Sequence, residues 1–92
     1  MGEGCKGIRI FVFTVYVIES LKNGKRYAGF TAKTAEQRLA EHNRGCNKWA
    51  RENRPFRLIY KEFFDKEKDA RQQERFLKSG QGRKLLKDKI PR

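Results

Sequence analysis

The stretch TVYVIESLKNGKRYAGFT, Thr14 to Thr31, decides the fold. Its first half is rich in Val, Ile and Tyr, and from Ile10 to Ile18 both alternating faces are apolar, the pattern of a central strand covered on two sides. The first strand is read as Ile8 to Ser20. Asn23-Gly24 supplies the left-handed backbone that a tight hairpin needs, and Lys25 to Thr31 is predicted to return as the second strand. With a two-residue turn, Lys22 faces Lys25, Ser20 faces Tyr27, Ile18 faces Gly29 and Tyr16 faces Thr31. Opposed residues share a face, and Tyr16, Ile18 and Ser20 share one by the period of two. Tyr16 and Tyr27 therefore project from the same side of the sheet. In that register they lie four positions apart along the ladder, about 13 Å in a straight strand. Strong twist, a bulge or a wider turn is needed to bring both hydroxyls together.

Working outward, Thr34 followed by Gln37 matches a capping box and predicts a helix over roughly 34–44, ended by Gly45. In it Ala35 and Leu39 point one way while Arg38 and His42, four residues apart, point together another way. Residues 43–55 are polar and basic and read as a loop with one helical turn, in which Trp49 is a core or loop anchor rather than a base-stacking platform. Phe56 to Phe64 has strand composition, Asp65 is placed to cap a helix running to about Lys78, and Ser79-Gly80 breaks that helix before a short basic one. The expected fold is α+β: a small, mainly antiparallel three-stranded sheet flanked by helices in the order β-β-α-β-α-α.

Composition limits what such a fold can do. A chain of 92 residues supports one domain, 1–92, with one modest core. A formal net charge of +12 favours a polyanionic partner, with nucleic acid the default. The longest apolar run falls short of the roughly 20 residues that span a bilayer, and there is no basic amphipathic helix of membrane-surface type, so no membrane partner is expected. The N-terminus lacks signal-peptide organisation, which predicts a cytoplasmic, non-exported protein. Cys5 and Cys46 read as ordinary thiols; Cys46 with His42 would make only an incomplete zinc site.

Four blocks then carry a family resemblance. Tyr16 within Thr14-Val15-Tyr16-Val17, followed eleven residues on by Tyr27-Ala28-Gly29, resembles the paired motif that names the GIY-YIG nucleases, with a degenerate first triplet. The likeness continues through Gly29-Phe30-Thr31, Arg38-Leu39-Ala40-Glu41-His42-Asn43 and Glu74-Arg75-Phe76-Leu77-Lys78-Ser79-Gly80, and covers about 13–88. It is nearest to small stand-alone bacterial members and to the catalytic domain of structure-selective nucleases of DNA repair. Phe30 stands where many members carry Lys, as in the branch that has a helix His.

The resemblance implies a metal-dependent endonuclease that hydrolyses DNA phosphodiester bonds, with DNA placed ahead of RNA and RNA left open as a substrate, and with no small-molecule cofactor. Glu74 would bind one ion, Mg²⁺ or Mn²⁺, the rest of its shell being water and a phosphate oxygen. Arg38 would neutralise charge on the scissile phosphate. Tyr16 would take the proton of the attacking water with His42 as its relay, and Tyr27 would relay or hold the phosphate. An ordinary phenol with pKa about 10 is ionised in about one molecule per thousand at pH 7, a cost of about 4 kcal/mol. Arg38, the metal and neutral His42 all act to lower it. Gly29 is a bulge or helix-packing site, or a place where backbone approaches the phosphate, and the two are compatible. Arg44, Lys48, Arg51, Arg54 and Arg57 are candidate phosphate contacts.

Simpler readings stand beside these. Strand tyrosines usually pack; Arg38 could pair with a nearby carboxylate, and Glu74 with Lys78 or Arg71, for about 0.3–0.5 kcal/mol each. The alternative function is a non-catalytic nucleic-acid-binding module that kept the nuclease scaffold; a third is a basic protein that binds a ribonucleoprotein or an acidic protein. The substrate's structure and the oligomeric state are not written in the sequence.

Overall fold

β1 (Phe13–Ser20) lies at the centre of a three-stranded sheet in the order β2-β1-β3, in a computed structural model that describes residues 12–91. Ile8 to Phe11, the expected beginning of the first strand, and Cys5 lie outside the described residues. β2 (Arg26–Thr31) and β3 (Phe56–Phe64) both run antiparallel to β1. Every residue from Thr14 to Ser20 is buried, which is what a strand apolar on both faces requires. Val15 and Val17 pack with Ala28 against Ala70 and Leu77 of α3 (Glu67–Lys78) and Leu86 of α4 (Gly80–Lys89). On the opposite face Tyr16 and Ile18 meet Ala35 of α1 (Ala35–Asn43), Ala50 of α2 (Lys48–Asn53) and Phe56. The observed class is therefore α+β with helices on both faces of an antiparallel sheet, as expected. The one helical turn anticipated within 43–55 is α2.

The hairpin departs from the expected register. Its loop is Leu21 to Gly24, closed by Ser20 N–H donating to the Lys25 carbonyl at 2.8 Å and Gly24 N–H to the Ser20 carbonyl at 2.9 Å. A two-residue type I′ turn needs positive φ at both central residues, yet among the described non-glycine residues none has it; Gly24 alone in the loop does, at 78°. Polar side chains take the amides instead. Ser20 Oγ accepts from the Lys22 and Asn23 amides at 3.0 and 3.2 Å, and Asn23 Oδ1 accepts from the Lys25 amide at 3.0 Å. Long-range bonds hold the wider loop down: Leu21 N–H donates to the Pro55 carbonyl at 2.8 Å and Asn23 Nδ2 to Asn53 Oδ1 at 2.6 Å.

As a result Tyr16 faces Gly29 and Ile18 faces Tyr27. A shift of two residues preserves the faces, so the same-side prediction for the two tyrosines holds while their separation along the ladder falls to two positions, about 7 Å. Of the three devices that could close the gap, the wider turn is the one used.

The helix starts follow local chemistry. Thr34 Oγ1 accepts from the Gln37 amide and Gln37 Oε1 from the Thr34 amide, both at 3.0 Å, which completes the capping box. Asp65 does not cap α3: the N-cap is Lys66, without a side-chain cap bond, and Glu67 and Asp69 in the first turn supply negative charge at the positive end of the dipole. Ser79 ends α3 and caps α4, accepting from the Gly82 amide at 3.2 Å. Across the β2-β1-β3 sheet, buried Glu19 pairs with Arg26 at 2.9 Å and Arg57 at 2.7 Å. Burial alone would raise its carboxyl; hydrogen bonds from Arg57 and Arg26 overcome that and hold it below the usual range.

Candidate active site

Tyr16 lies opposite Gly29, and its phenol occupies the space where a side chain there would stand: a Cβ built on Gly29 meets Tyr16 Cζ and Oη at 2.4 Å. This seat is a use of Gly29 that neither sequence reading named. Gly29→Ala is expected to destabilise the fold by about 1–3 kcal/mol through overpacking, and to swing the Tyr16 hydroxyl away from its partners. Thermal melts of Gly29→Ala, Tyr16→Ala and the double variant check this. The two costs should be strongly non-additive, and simple additivity would show that the ring and the added methyl do not collide.

Tyr27 projects from the same face, with its ring centroid 6.4 Å from that of Tyr16. His42, only 1% exposed, sits beside both, its ring 5.2 Å from Tyr27 and 6.2 Å from Tyr16. Arg38 and His42 are one turn apart on α1, and that spacing lays both side chains over the sheet. Arg38 Nε donates to Tyr16 Oη at 3.4 Å, and Tyr16 Oη lies 3.3 Å from His42 Nε2. Four of the five candidate catalytic residues thus gather on one face of the sheet, Arg38 and His42 at the Tyr16 hydroxyl and Tyr27 by its ring.

Two further residues join them. Arg38 also pairs with Glu41, whose other oxygen accepts from Lys33 Nζ at 2.6 Å, so pairing with a nearby carboxylate holds alongside the contact with Tyr16. Cys46 Sγ lies 3.7 Å from His42 Nδ1. Glu41 sits inside the helix block that carries the resemblance, three residues from Arg38, and its spacing was a readable signal. Cys46 is four residues from His42, the pair that the sequence had set together only as an incomplete zinc site, and it comes back to the ring past Gly45, whose φ is 83°.

Burial pushes the Tyr16 phenol above its ordinary value, and the hydrogen bond and charge of Arg38 offset this only in part. Arg38 does act in the expected direction, but burial outweighs it. Burial, and then the Arg38 charge, pull His42 below its ordinary value, so the imidazole is neutral at pH 7. Tyr16 Oη accepts from Arg38 and lies within hydrogen-bond distance of His42 Nε2, where the imidazole tautomer sets which of the two donates.

Glu74 stands apart, on the α3 side of the sheet. Its Oε2 accepts from Lys78 Nζ at 3.1 Å, and Lys78 Nζ lies 5.4 Å over the Tyr27 ring, so it approaches the cluster around the β2 edge without touching it. Of the two simple pairings considered for Glu74, the Lys78 one forms, while Arg71 binds Glu67 at 2.7 Å. Glu74 Oε1 has no protein hydrogen-bond partner among the described residues. Those residues contain no cluster of three or more His, Cys, Asp and Glu that could cage an ion. An ion here would rest on one carboxylate plus water and substrate oxygens, a donor set Mg²⁺ accepts.

The candidate phosphate contacts divide. Arg44, Lys48, Arg51 and Arg54 are exposed along α2 and its flanks, whereas Arg57 is engaged with Glu19. Trp49 is an anchor, stacked on Phe56 at 5.3 Å and 5.5 Å from Tyr27. Among the described residues no helix is long and apolar enough to cross a membrane.

Comparison with known proteins agrees with this architecture. The family model described as the GIY-YIG catalytic domain matches residues 12–87. A UPF0213 protein of Staphylococcus saprophyticus is 35% identical over 74 residues, spanning 79% of this chain and 88% of that protein. A UPF0213 protein of Clostridium perfringens is 35% identical over 65 residues, spanning 70% of this chain and 68% of that protein. No solved structure matches. The chain belongs to the GIY-YIG family, an endonuclease superfamily whose substrates are nucleic acids.

Proposed function

We propose that this protein is a metal-dependent endonuclease that hydrolyses DNA phosphodiester bonds, with Tyr16 as general base and a single divalent ion on Glu74. The observation that carries the reading is the Tyr16 hydroxyl held between Arg38 Nε at 3.4 Å and His42 Nε2 at 3.3 Å. A buried phenol needs a proton acceptor to act as a base, and neutral His42 is one. As the attacking water loses a proton to Tyr16 Oη, the phenolic proton passes to His42 Nε2. The water oxygen bonds to phosphorus and the leaving oxygen takes a proton from solvent. Glu41, near Arg38, and Cys46, at Nδ1, face the positive charge that His42 gains. Arg38, always protonated, stabilises both the forming phenolate and the charge on the phosphate. Tyr27 is close enough to hold the phosphate beside them. Mg²⁺ or Mn²⁺ on Glu74 supplies Lewis-acid stabilisation when bound. Arg44, Lys48, Arg51 and Arg54 position the backbone of the DNA.

The test is to incubate the purified protein with plasmid, branched DNA and RNA, with Mg²⁺, with Mn²⁺ and in EDTA. DNA cleavage that needs the ion, together with binding that survives its removal, is the expected result. Binding that weakens steeply with salt, with no cleavage under any ion, would instead establish a binding module on the nuclease scaffold.

A further inference from the structure

A cavity of about 860 Å³ opens at the β2 edge beside Tyr27. Its floor is apolar, formed by Val17, Ala28 and Leu77, which the sheet and α3 bury in common. Tyr27 and Trp49 line it, their centroids 5.5 Å apart and their planes inclined by 40°. Lys25, Arg83 and Lys87 also line it, and none of the three has a carboxylate partner among the described residues. Arg26 and Lys78, also at this cavity, are held by Glu19 and Glu74. Asp88 is the single acid in the lining.

This combination selects a ligand chemistry. An apolar floor with aromatic sides accepts a flat, weakly polar body, and a rim of uncompensated cations accepts the anion attached to it. A nucleotide has both parts: its base rests on the apolar floor beside the exposed margins of Tyr27 and Trp49, and Arg and Lys on the phosphates is the general physics of strand binding. Position selects the source. Tyr27 belongs to the cavity and to the Tyr16–His42 cluster at once, and Lys78 links the cavity to Glu74. We infer that this cavity is a subsite for a nucleotide of the substrate strand flanking the cleaved phosphate, with Arg83 and Lys87 of α4 as its phosphate contacts. The inference rests on the nuclease reading for the word "cleaved". It adds α4, where the sequence had suggested contacts only over 43–57.

Trp49 is the chain's single tryptophan, so its emission reports the cavity directly. The experiment titrates the full chain in EDTA with the oligonucleotide dT12 and, separately, with dTMP, following Trp49 fluorescence and the anisotropy of labelled dT12 at several salt concentrations. The variants are Arg83→Ala with Lys87→Ala and, as a control of equal charge loss outside the cavity, Lys68→Ala with Lys84→Ala. Saturable quenching by dT12 is expected. The cavity pair should weaken binding about tenfold and lower the salt slope by about 1.4, the value for two phosphate contacts on a single strand; the control pair should change affinity less than twofold. Circular dichroism of each variant confirms folding. Anisotropy showing dT12 bound with Trp49 emission unchanged, equal losses in the two variant pairs, or tight dTMP binding without dT12 binding would each overturn the subsite. Because the readout needs no cleavage, a quenched but inactive protein would defeat the nuclease reading alone, and an active protein with unquenched Trp49 would defeat the subsite alone.

Discussion

Tyr16→Phe is expected to lower the cleavage rate by about 10²–10⁴-fold, the range that a positioned general base contributes, while leaving DNA binding in EDTA unchanged. The substitution removes one oxygen and keeps the ring that fills the space over Gly29. Its stability cost should be about 1 kcal/mol, because the lost contacts to His42 and Arg38 are long ones. Thermal melts separate that small loss from the large loss of rate.

The pH profile of the wild type tests the proton route. If Tyr16 passes its proton to His42, the active form is the neutral phenol with a neutral imidazole. Folding lowers the His42 value from 6.5, by burial first and then by Arg38, so activity should be level from pH 7 to 9 and fall only below pH 6.5, as His42 becomes protonated. If the enzyme required phenolate formed beforehand, the rate would climb about tenfold per pH unit over that range, since burial places the Tyr16 value above 10.0. A climb of that kind would remove His42 from the mechanism and leave it a packing residue.

Glu74→Ala is the second large effect, a loss of about 10³-fold in metal-dependent cleavage, corresponding to about 4 kcal/mol of Lewis-acid stabilisation. The rival account is that Glu74 serves only its pair with Lys78, at 3.1 Å and one turn away. That pair is worth only about 0.3–0.5 kcal/mol, and Lys78→Met removes it equally well. A ligand role therefore requires a large fall in kcat for Glu74→Ala and a change of less than tenfold for Lys78→Met. Matching effects of the two substitutions on kcat, or full activity of Glu74→Ala at any Mg²⁺ concentration, would exclude Glu74 as the metal ligand.

The secondary structure and the family were legible in the chain because they rest on local information. A run apolar on both faces marked β1, strand composition marked β3, the Thr34–Gln37 box marked the start of α1, and Ser79-Gly80 marked the break between α3 and α4. Asp65 stands one position before the observed N-cap, Lys66, where the charges of Glu67 and Asp69 in the first turn take the place of a side-chain cap. For the candidate site, period-two and four-residue spacings were enough to put Tyr16 with Tyr27 and Arg38 with His42.

What the sequence determined by itself, then, is which elements form and which face each candidate residue takes, since both follow from periodicity. Three matters were settled only by the tertiary structure. The register of Tyr16 against Gly29 depends on Ser20 and Asn23 taking the turn amides while Pro55 and Asn53 hold the loop from another part of the chain. The raised Tyr16 and lowered His42 values depend on burial, which exists only once α1 covers the sheet. The cavity joining β2, Trp49 and α4 depends on elements far apart in sequence closing around one edge. Each rests in part on non-local contacts, and no spacing within a single segment encodes those.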